Sequence, residues 1–224
     1  MTHDAPAYGL WSLVIINTLF FIIFATTYSV GGWKKNWREL GMFSAFVLAL
    51  FTEMYGFPLT IYFLSGWLAA RYPGLDLMSH DTGHLWSTLF GLKGNPHFSV
   101  LHILSSLLIG AGIVLLGYSW QILYDAQRAG KVATSGPYSK IRHPQYVAFI
   151  AIMLSFLLQW PTIPTLLMFP VMTWVYARLA RREEQASIEQ FGDAYRTYMA
   201  DVPGFFPRLD RLFGGNAPDR QPRR

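Results

Sequence analysis

Residues 135–149, SGPYSKIRHPQYVAF, place a cluster of cations directly before an apolar run. After Arg142 and His143, no charged residue follows until Arg178. Pro144 suits the first turn of a helix, because a proline lacks the N–H group that would be unpartnered there. The start of a helix carries a partial positive charge, which the two side chains before it would reinforce. The stretch therefore predicts a place where an anionic group of a ligand could bind.

A second charged segment, ARREEQASIEQFGDAYRTYMADVPGFFP (residues 180–207), follows the same apolar run. If that run is a helical hairpin, its two ends return to the same side of the membrane. Glu183 and Glu184 then become neighbours of Arg142 and His143. Opposite charges at the edge of a membrane would suit a zwitterionic ligand with an ammonium and a carboxylate group. The alternative is a solvated helix whose charges pair along its own face.

The composition favours a membrane protein. Of the 224 residues, 52% are hydrophobic and only 14% are charged, whereas soluble domains have about 25% charged residues. The net charge is +5, but the basic residues flank apolar runs and form no continuous stripe, which argues against nucleic acid as a partner. The chain has no cysteine, so disulfides, cysteine nucleophiles and thiolate metal sites are excluded.

Four apolar runs are candidates to cross a hydrocarbon core of about 30 Å as helices. They are residues 9–30, 42–69, 98–124 and 145–176. The last is interrupted by QWPTIP and is predicted to be a hairpin of two short helices, each about 24 Å long at 1.5 Å per residue. The predicted fold class is an all-α integral membrane protein with about five transmembrane helices.

Basic residues set the expected orientation. They follow the first and third runs and accumulate beyond the last, so five spans place all of these segments on one side, as the positive-inside rule requires. We therefore expect the N-terminus outside and the C-terminus in the cytoplasm. Residues 1–124 would hold three spans and an external loop at 70–97. Residues 125–207 would hold the hairpin and C-terminal helices, and residues 208–224 a disordered tail.

Two motifs in order carry a family resemblance. G-P-Y-x-x-x-R-H-P-x-Y at 136–146 is followed by E-E and by F-G-x-x-Y-x-x-Y-x-x-x-V-P, which together end at residue 203. Over roughly residues 115–207 the chain resembles the isoprenylcysteine carboxyl methyltransferase and phospholipid methyltransferase families. The resemblance implies an integral-membrane enzyme that uses S-adenosylmethionine. It also implies a cytosol-facing cofactor pocket, which a C-terminal helical segment completes.

The resemblance also implies which residues bind the cofactor. They are Lys131, Val132, Ala133, Thr134, Tyr138, His143, Pro144, Gln145, Tyr146 and Glu183. The two tyrosines would offer aromatic faces to the adenine ring. Arg142, Glu184 and Arg178 are predicted to be catalytic, and the expected partners are membrane lipids and a small or lipophilic methyl acceptor. Methyl transfer from a sulfonium is mainly a task of positioning and of excluding water.

The acceptor side departs from the family pattern. The carboxyl methyltransferases have an arginine four residues before the cofactor glutamate, where this chain has Leu179. Asp201 stands where a cation is usual, and Arg178 is the near substitute. The sequence therefore favours a thiol or amine acceptor over a carboxylate.

Two other classes of function stay open, namely an NADPH-dependent membrane reductase of the sterol type and a non-catalytic membrane protein. A metal site could be formed by four histidines, His80, His84, His97 and His102. Their spacing is loose, so no metal is predicted. Glu53 lies within the second apolar run, where it could be functional or a neutral group bonded between helices.

Overall fold

The structure, a computed structural model, describes residues 8–27, 33–92 and 94–208, and for residues 33–39 it describes the backbone alone. The predicted disordered tail lies outside these residues apart from Arg208. The described part of the chain is helical throughout, without a strand, which confirms the predicted all-α class.

The described residues form eight α-helices joined by short turns. The helices are α1 (Trp11–Thr27), α2 (Trp33–Phe51), α3 (Leu59–Arg71), α4 (Leu85–Leu89), α5 (Val100–Arg128), α6 (Pro144–Gln159), α7 (Ile163–Phe191) and α8 (Asp193–Asp201). A π-helical turn, Thr52–Gly56, continues α2, and 3-10 turns cover His80–Gly83, Pro96–Phe98 and Gly136–Ser139.

Helix α6 lies at the centre of the bundle, and ten of its 16 residues are buried. The ring of Phe149 lies 4.8 Å from that of Phe43 in α2 and 5.6 Å from that of Trp120 in α5, measured between centroids. Phe156 lies 5.6 Å from Phe21 of α1. A helix that is apolar on all sides is typical of a buried position, so its lack of charge reflects its place in the core.

Two helices, α5 and α7, are each long and apolar enough to cross a membrane, and a third crossing is counted if a bent pair of helices is one span. Two further apolar helices, α1 and α6, are shorter. By length and composition the chain is therefore a membrane protein with two or three such helices among the described residues. The count of five spans stays a prediction.

The second apolar run is not the straight span predicted over 42–69. Its two halves, Leu40–Gly56 and Leu59–Arg71, are bent by 52° relative to one another. Pro58 lies at the bend, and a proline has no N–H group to continue the helical ladder. The helix before the bend also begins earlier than predicted, at Trp33.

Glu53 stabilises this bend. Its side chain is buried, and its Oε2 accepts a hydrogen bond of 2.9 Å from the backbone N–H of Thr60. Thr60 lies in the first turn of α3, where backbone N–H groups have no partner within the helix. The carboxyl group therefore acts as a helix cap from seven residues upstream, which gives this polar residue of the apolar run a structural function.

We label the two ends of the bundle by the residues at the two ends of α6, His143 and Gln159. Its 16 residues span about 24 Å at 1.5 Å per residue. At the His143 end, α6 starts beside α8, whereas at the Gln159 end it meets the loop that joins α3 to α5. There the indole N–H of Trp86 donates to the carbonyl of Leu157 over 2.9 Å.

Helix α5 packs against α6 through a glycine. A Cβ atom on Gly112 would lie 2.6 Å from Cγ1 of Ile152, and 3.5 Å from the carbonyl oxygen of Ala148. The backbones of α5 and α6 therefore approach so closely at this point that only glycine fits, as is common between membrane helices. Gly110 of the same helix has open space at this position.

This contrast predicts opposite effects of one substitution at two sites. Gly110→Ala should raise the free energy of unfolding in detergent by about 0.5–1 kcal/mol, because alanine favours a helix interior. Gly112→Ala should instead lower it by about 1–3 kcal/mol, because its methyl group overpacks the contact with Ile152. Chemical unfolding of both variants measures the difference, and equal effects would show that α5 and α6 do not pack as described.

Candidate active site at the start of helix α6

The start of α6 is covered by the segment that follows α8. The backbone N–H of Arg142 donates to the carbonyl of Pro203 over 2.9 Å, and that of His143 donates to the carbonyl of Gly204 over 3.1 Å. Pro144 occupies the first turn of the helix, as predicted. The V-P-G sequence after α8 is thus held against the R-H-P sequence before α6 by two main-chain hydrogen bonds.

One carboxylate oxygen, Oε1 of Glu184, receives the charges at this end of the bundle. Nε and a terminal nitrogen of Arg142 each lie 2.8 Å from it, and Nε2 of His143 lies 2.9 Å from it. The side chains of Arg142 and Glu184 are only 14% and 17% exposed. The predicted proximity of the two charged segments is therefore observed, and it arises because α6 and α7 form an antiparallel hairpin.

Arg142 has a second set of partners. Its other terminal nitrogen donates to the carbonyl of Met199 over 3.1 Å and also to the carbonyl of Val202. The guanidinium group therefore joins the start of α6, the carboxylate of α7 and the end of α8. In this arrangement Arg142 and Glu184, both predicted to be catalytic, position the walls of the site.

Glu183 is the carboxylate that solvent can reach. Its side chain is 42% exposed, and its Oε1 accepts a hydrogen bond of 2.8 Å from the hydroxyl of Tyr146. Gln145 approaches Oε2 at 3.5 Å. Nδ1 of His143 lies 3.7 Å from the same oxygen, within ion-pair distance but beyond hydrogen-bond distance, and this buried nitrogen has no hydrogen-bond partner among the residues that the structure describes. The two groups leave room for a ligand to bond to both.

The surroundings of His143 favour its protonated form. Burial lowers the pKa of its imidazole, but the carboxylates of Glu183 and Glu184 together outweigh burial and raise the pKa above its ordinary value. With both ring nitrogens protonated, Nε2 donates to Glu184 and Nδ1 offers an N–H group towards the open side. His143 is thereby a candidate donor to an anionic group.

The two predicted aromatic residues lie deeper than expected. Tyr138 is 3% exposed and Tyr146 is fully buried. The hydroxyl of Tyr138 donates to Oε1 of Gln145 over 3.1 Å, and the ring of Tyr146 stacks on that of Tyr176 at 5.3 Å. In this conformation both rings pack in the core, and the polar end of Tyr146 is what reaches the site.

The loop before the turn, residues 131–134, packs against α8. Val132 contacts the small cluster of Tyr195, Tyr198 and Val202, and Ala133 is buried, whereas Lys131 and Thr134 are exposed. The hydroxyl of Tyr198 donates to the carbonyl of Tyr138 over 2.7 Å. The loop is therefore fixed at the His143 end by α8.

Gly136 begins the turn that brings the chain to α6. Its φ is +55°, a conformation that residues with a side chain rarely adopt. A Cβ atom here would also lie 2.5 Å from Cδ1 of Ile122 in α5. The first glycine of the sequence motif is thus required by both its backbone conformation and its contact with α5.

Arg178 lies apart from the Glu184 network. It is exposed, and its guanidinium carbon lies 5.4 Å from the ring centroid of Trp174. It lines a groove of about 550 Å³ between α2 and α7. The groove is lined by Gly41, Met42, Ala45, Trp174, Val175, Arg178, Leu179 and Arg182. Sequence reasoning missed the α2 wall, because no local pattern shows that residue 41 faces residue 178.

Residues 98–189 match the model of the isoprenylcysteine carboxyl methyltransferase (ICMT) family. Over this segment, which is less than half of the chain, the protein is similar to that family. It contains α5, α6 and α7 up to residue 189, and with them every member of the Arg142, His143, Glu183 and Glu184 cluster. The predicted resemblance is confirmed. The α2 wall of the groove and α8 lie outside the segment that matches the ICMT family.

A curated relative is the nickel-cobalt-cadmium resistance protein NccN of Alcaligenes xylosoxydans xylosoxydans. It is 30% identical over 105 residues, which are 46% of this chain and 48% of the relative. The match thus spans about half the length of each protein. No solved structure matches the chain.

The contacts of Arg142 predict that its loss frees the segment after α8. Arg142→Ala leaves Glu184 without its cation and should lower the free energy of unfolding by about 3 kcal/mol. Amide hydrogen exchange should rise in residues 199–205, since two carbonyl groups lose their donor. Arg181→Ala is the matched control, because Arg181 is also a cation near the charged end of the bundle but is exposed. Unchanged exchange in Arg142→Ala would show that the network does not hold this segment.

Proposed function

We propose that this protein is an S-adenosylmethionine-dependent methyltransferase of the membrane, with its site at the His143 end of the bundle and a lipophilic acceptor. The observation that carries the proposal is the pair of groups available there, the 42% exposed carboxylate of Glu183 and the Nδ1 atom of His143, which has no hydrogen-bond partner in the described part of the chain. They lie within the segment that matches the ICMT family.

The donor set fits the cofactor. S-adenosylmethionine carries an ammonium and a carboxylate group on its methionine part. Glu183 would accept hydrogen bonds from the ammonium group, and the protonated Nδ1 of His143 would donate to the carboxylate, each a charge-assisted contact. When bound, S-adenosylmethionine supplies a methyl group activated by the positive charge on sulfur.

The remaining residues position these two. Glu184 orients His143 through Nε2, and Tyr146 orients Glu183 through its hydroxyl group. Phe205 lies 5.5 Å from the imidazole ring, between centroids, and would shield it from water on the C-terminal side. Preorganised partners of this kind reduce the entropy lost when a ligand binds.

The acceptor would enter through the groove between α2 and α7. Its apolar walls suit a lipid tail, and Arg182, which lines the groove, directly precedes Glu183 in the chain, so the groove would open near the cofactor site. The preference for an uncharged or cationic acceptor rested on a lack of positive charge on this side. Because Arg178 and Arg182 both line the groove, a carboxylate acceptor would also find a cation, and we propose that the polar end of the acceptor lies between these arginines.

The proposal places the His143 end in the cytoplasm. Its support is the sequence, in which basic residues flank the apolar runs at this end and accumulate after Arg178, as the positive-inside rule requires. The Gln159 end would then face the opposite side of the membrane.

The cofactor site predicts a loss of affinity in two variants. Glu183→Gln keeps the bond with Tyr146 but removes the charge that an ammonium group needs, and His143→Ala removes the donor. Each should weaken binding of S-adenosylmethionine about ten- to a hundredfold, as expected for a lost hydrogen bond to a charged group. Binding is measured in detergent, with NADPH as the competing candidate. Glu189→Gln, on the exposed face of α7, is the control.

Tight binding of the cofactor by both variants would refute the site. Binding of NADPH instead would identify a reductase, and binding of neither would identify a non-catalytic protein.

The groove predicts which residues decide the acceptor. Methyl transfer from labelled S-adenosylmethionine is measured with each of three acceptors: a prenylated cysteine, a lipophilic thiol and an aminophospholipid. Ala45→Trp should fill the groove and reduce transfer to every acceptor about tenfold or more, whereas Leu48→Trp on the outer surface of α2 should not. Arg178→Ala should reduce transfer to the carboxylate most, because that acceptor needs a cation. Full activity of Ala45→Trp would place the acceptor elsewhere.

A second candidate function is a part in tolerance of nickel or cobalt ions. The relative NccN, a nickel-cobalt-cadmium resistance protein, suggests this function, and one observation favours it here, the close grouping of His80, His84 and His97 at the Gln159 end. Cells that depend on this protein should then grow less well in nickel with His84→Ala, whereas cells with Glu183→Gln should grow normally. Equal growth of the two strains would exclude this function for the histidines.

A further inference from the structure

Three histidines that are distant in the sequence meet at the Gln159 end. One ring nitrogen from each of His80, His84 and His97 lies within 4.8 Å of the others. The rings of His80 and His97 stack at 5.2 Å, and those of His84 and His97 meet edge to face at 4.9 Å, between centroids. The loose spacing in the sequence had argued against a metal site, but the fold of the loop between α3 and α5 overrides it.

The tautomer of His84 is fixed by a backbone carbonyl group. Its Nδ1 lies 3.0 Å from the carbonyl oxygen of Gln159, which can only accept a hydrogen bond, so Nδ1 carries the hydrogen. Nε2 is then left with its lone pair. This nitrogen is buried and has no hydrogen-bond partner among the described residues, and a buried polar atom without one is costly unless a ligand satisfies it.

This arrangement is the one that metal-binding histidines adopt. Such a histidine donates its other ring N–H to a carbonyl or carboxylate, which orients the ring and raises the basicity of the ligand nitrogen. His97 is also held in place, because the side chain of Asn95 accepts its backbone N–H over 2.9 Å. The imidazole of His84 and the backbone of His97 are therefore both held by neighbouring groups.

The end of α6 forms the floor of the site. Trp160 lies 4.7 Å from His80 and 4.8 Å from His84, between ring centroids. Its indole packs so tightly on Gly83 that a Cβ atom there would lie 1.8 Å from it. The loop is thus seated on the turn between α6 and α7, and His80 remains half-buried, so an ion can enter from the loop side.

We propose that His80, His84 and His97 bind a divalent transition-metal ion such as Ni²⁺, Co²⁺ or Zn²⁺. Neutral imidazole nitrogens suit these metals, whereas Mg²⁺ and Ca²⁺ prefer oxygen ligands. The ring nitrogens lie within 4.8 Å of one another. In a tetrahedral site with metal–nitrogen bonds of about 2.0–2.1 Å, two ligand atoms lie about 3.4 Å apart, so the rings would have to close by up to about 1.5 Å on binding. A fourth position of the ion would be left for water or an exogenous ligand.

The proposed metal site is inferred from the geometry of the three histidines alone. It is separate from the proposed methyl transfer, since it lies at the other end of α6. It would supply the ion binding that the second candidate function needs. Failure of the tolerance function would leave the site standing, because purified protein can bind an ion whether or not cells depend on it.

The test is binding of metal to the full chain in detergent, with any affinity tag removed. Equilibrium dialysis against Ni²⁺, Co²⁺ or Zn²⁺ should give one ion per chain, and Mg²⁺ should give none. His80→Ala, His84→Ala and His97→Ala should each weaken binding about tenfold or more. Glu189→Gln, an exposed residue of α7, should bind as the native chain does.

Two further measurements keep the test decisive even if an alanine variant fails to fold. The absorption spectrum of bound Co²⁺ reports nitrogen ligation directly in the native protein, and His97→Gln retains a polar side chain of similar size. Absence of stoichiometric binding by the native chain, or equal binding by native chain and His84→Ala, would overturn the proposal and leave the histidines as a packing cluster around Trp160.

Discussion

The structure depends on one ionic contact, in which a single oxygen of Glu184 receives both Arg142 and His143. The contact closes the α6–α7 hairpin at its charged end. It also fixes the segment after α8, because Arg142 bonds to the carbonyls of Met199 and Val202. A pair of this kind is costly to bury unless its hydrogen bonds are satisfied, and here several partners share that task.

The same contact separates the functions of two adjacent glutamates. Glu184 is used within the protein, whereas Glu183 remains 42% exposed and faces the buried Nδ1 of His143. Successive residues on a helix point about 100° apart, so one of the pair can hold the fold while the other is available to a ligand. The E-E motif thus combines a structural residue, Glu184, with Glu183, the residue that we propose binds the ligand.

Helix α6 links two chemically distinct regions. Its first residues carry the proposed cofactor site, and its last residues, with Trp160, support the three histidines. The core between them is filled by aromatic rings such as Phe149, without a charged group within α6. A close-packed, apolar core is rigid, so each end can hold its own arrangement of polar groups.

Much of the site at the His143 end could be predicted from the sequence. A hairpin must bring its two ends together, so the meeting of Arg142 and His143 with Glu183 and Glu184 follows from chain connectivity alone. Pro144 marks the start of a helix for a local steric reason. The all-α class and the apolar helices likewise follow from composition and from the length of the apolar runs.

Other features were decided by tertiary structure, because they depend on contacts between residues far apart in the chain. Tyr146 could be recognised as a motif residue, but only packing against Tyr176 decides that its ring is buried. The groove needs α2 to lie beside α7, and no local pattern specifies that neighbour. The histidine cluster is the clearest case: its spacing argues against a metal site, and only the packing of the loop on Trp160 brings the ring nitrogens together. Sequence determines which groups are available, and the long-range packing of helices decides which of them meet.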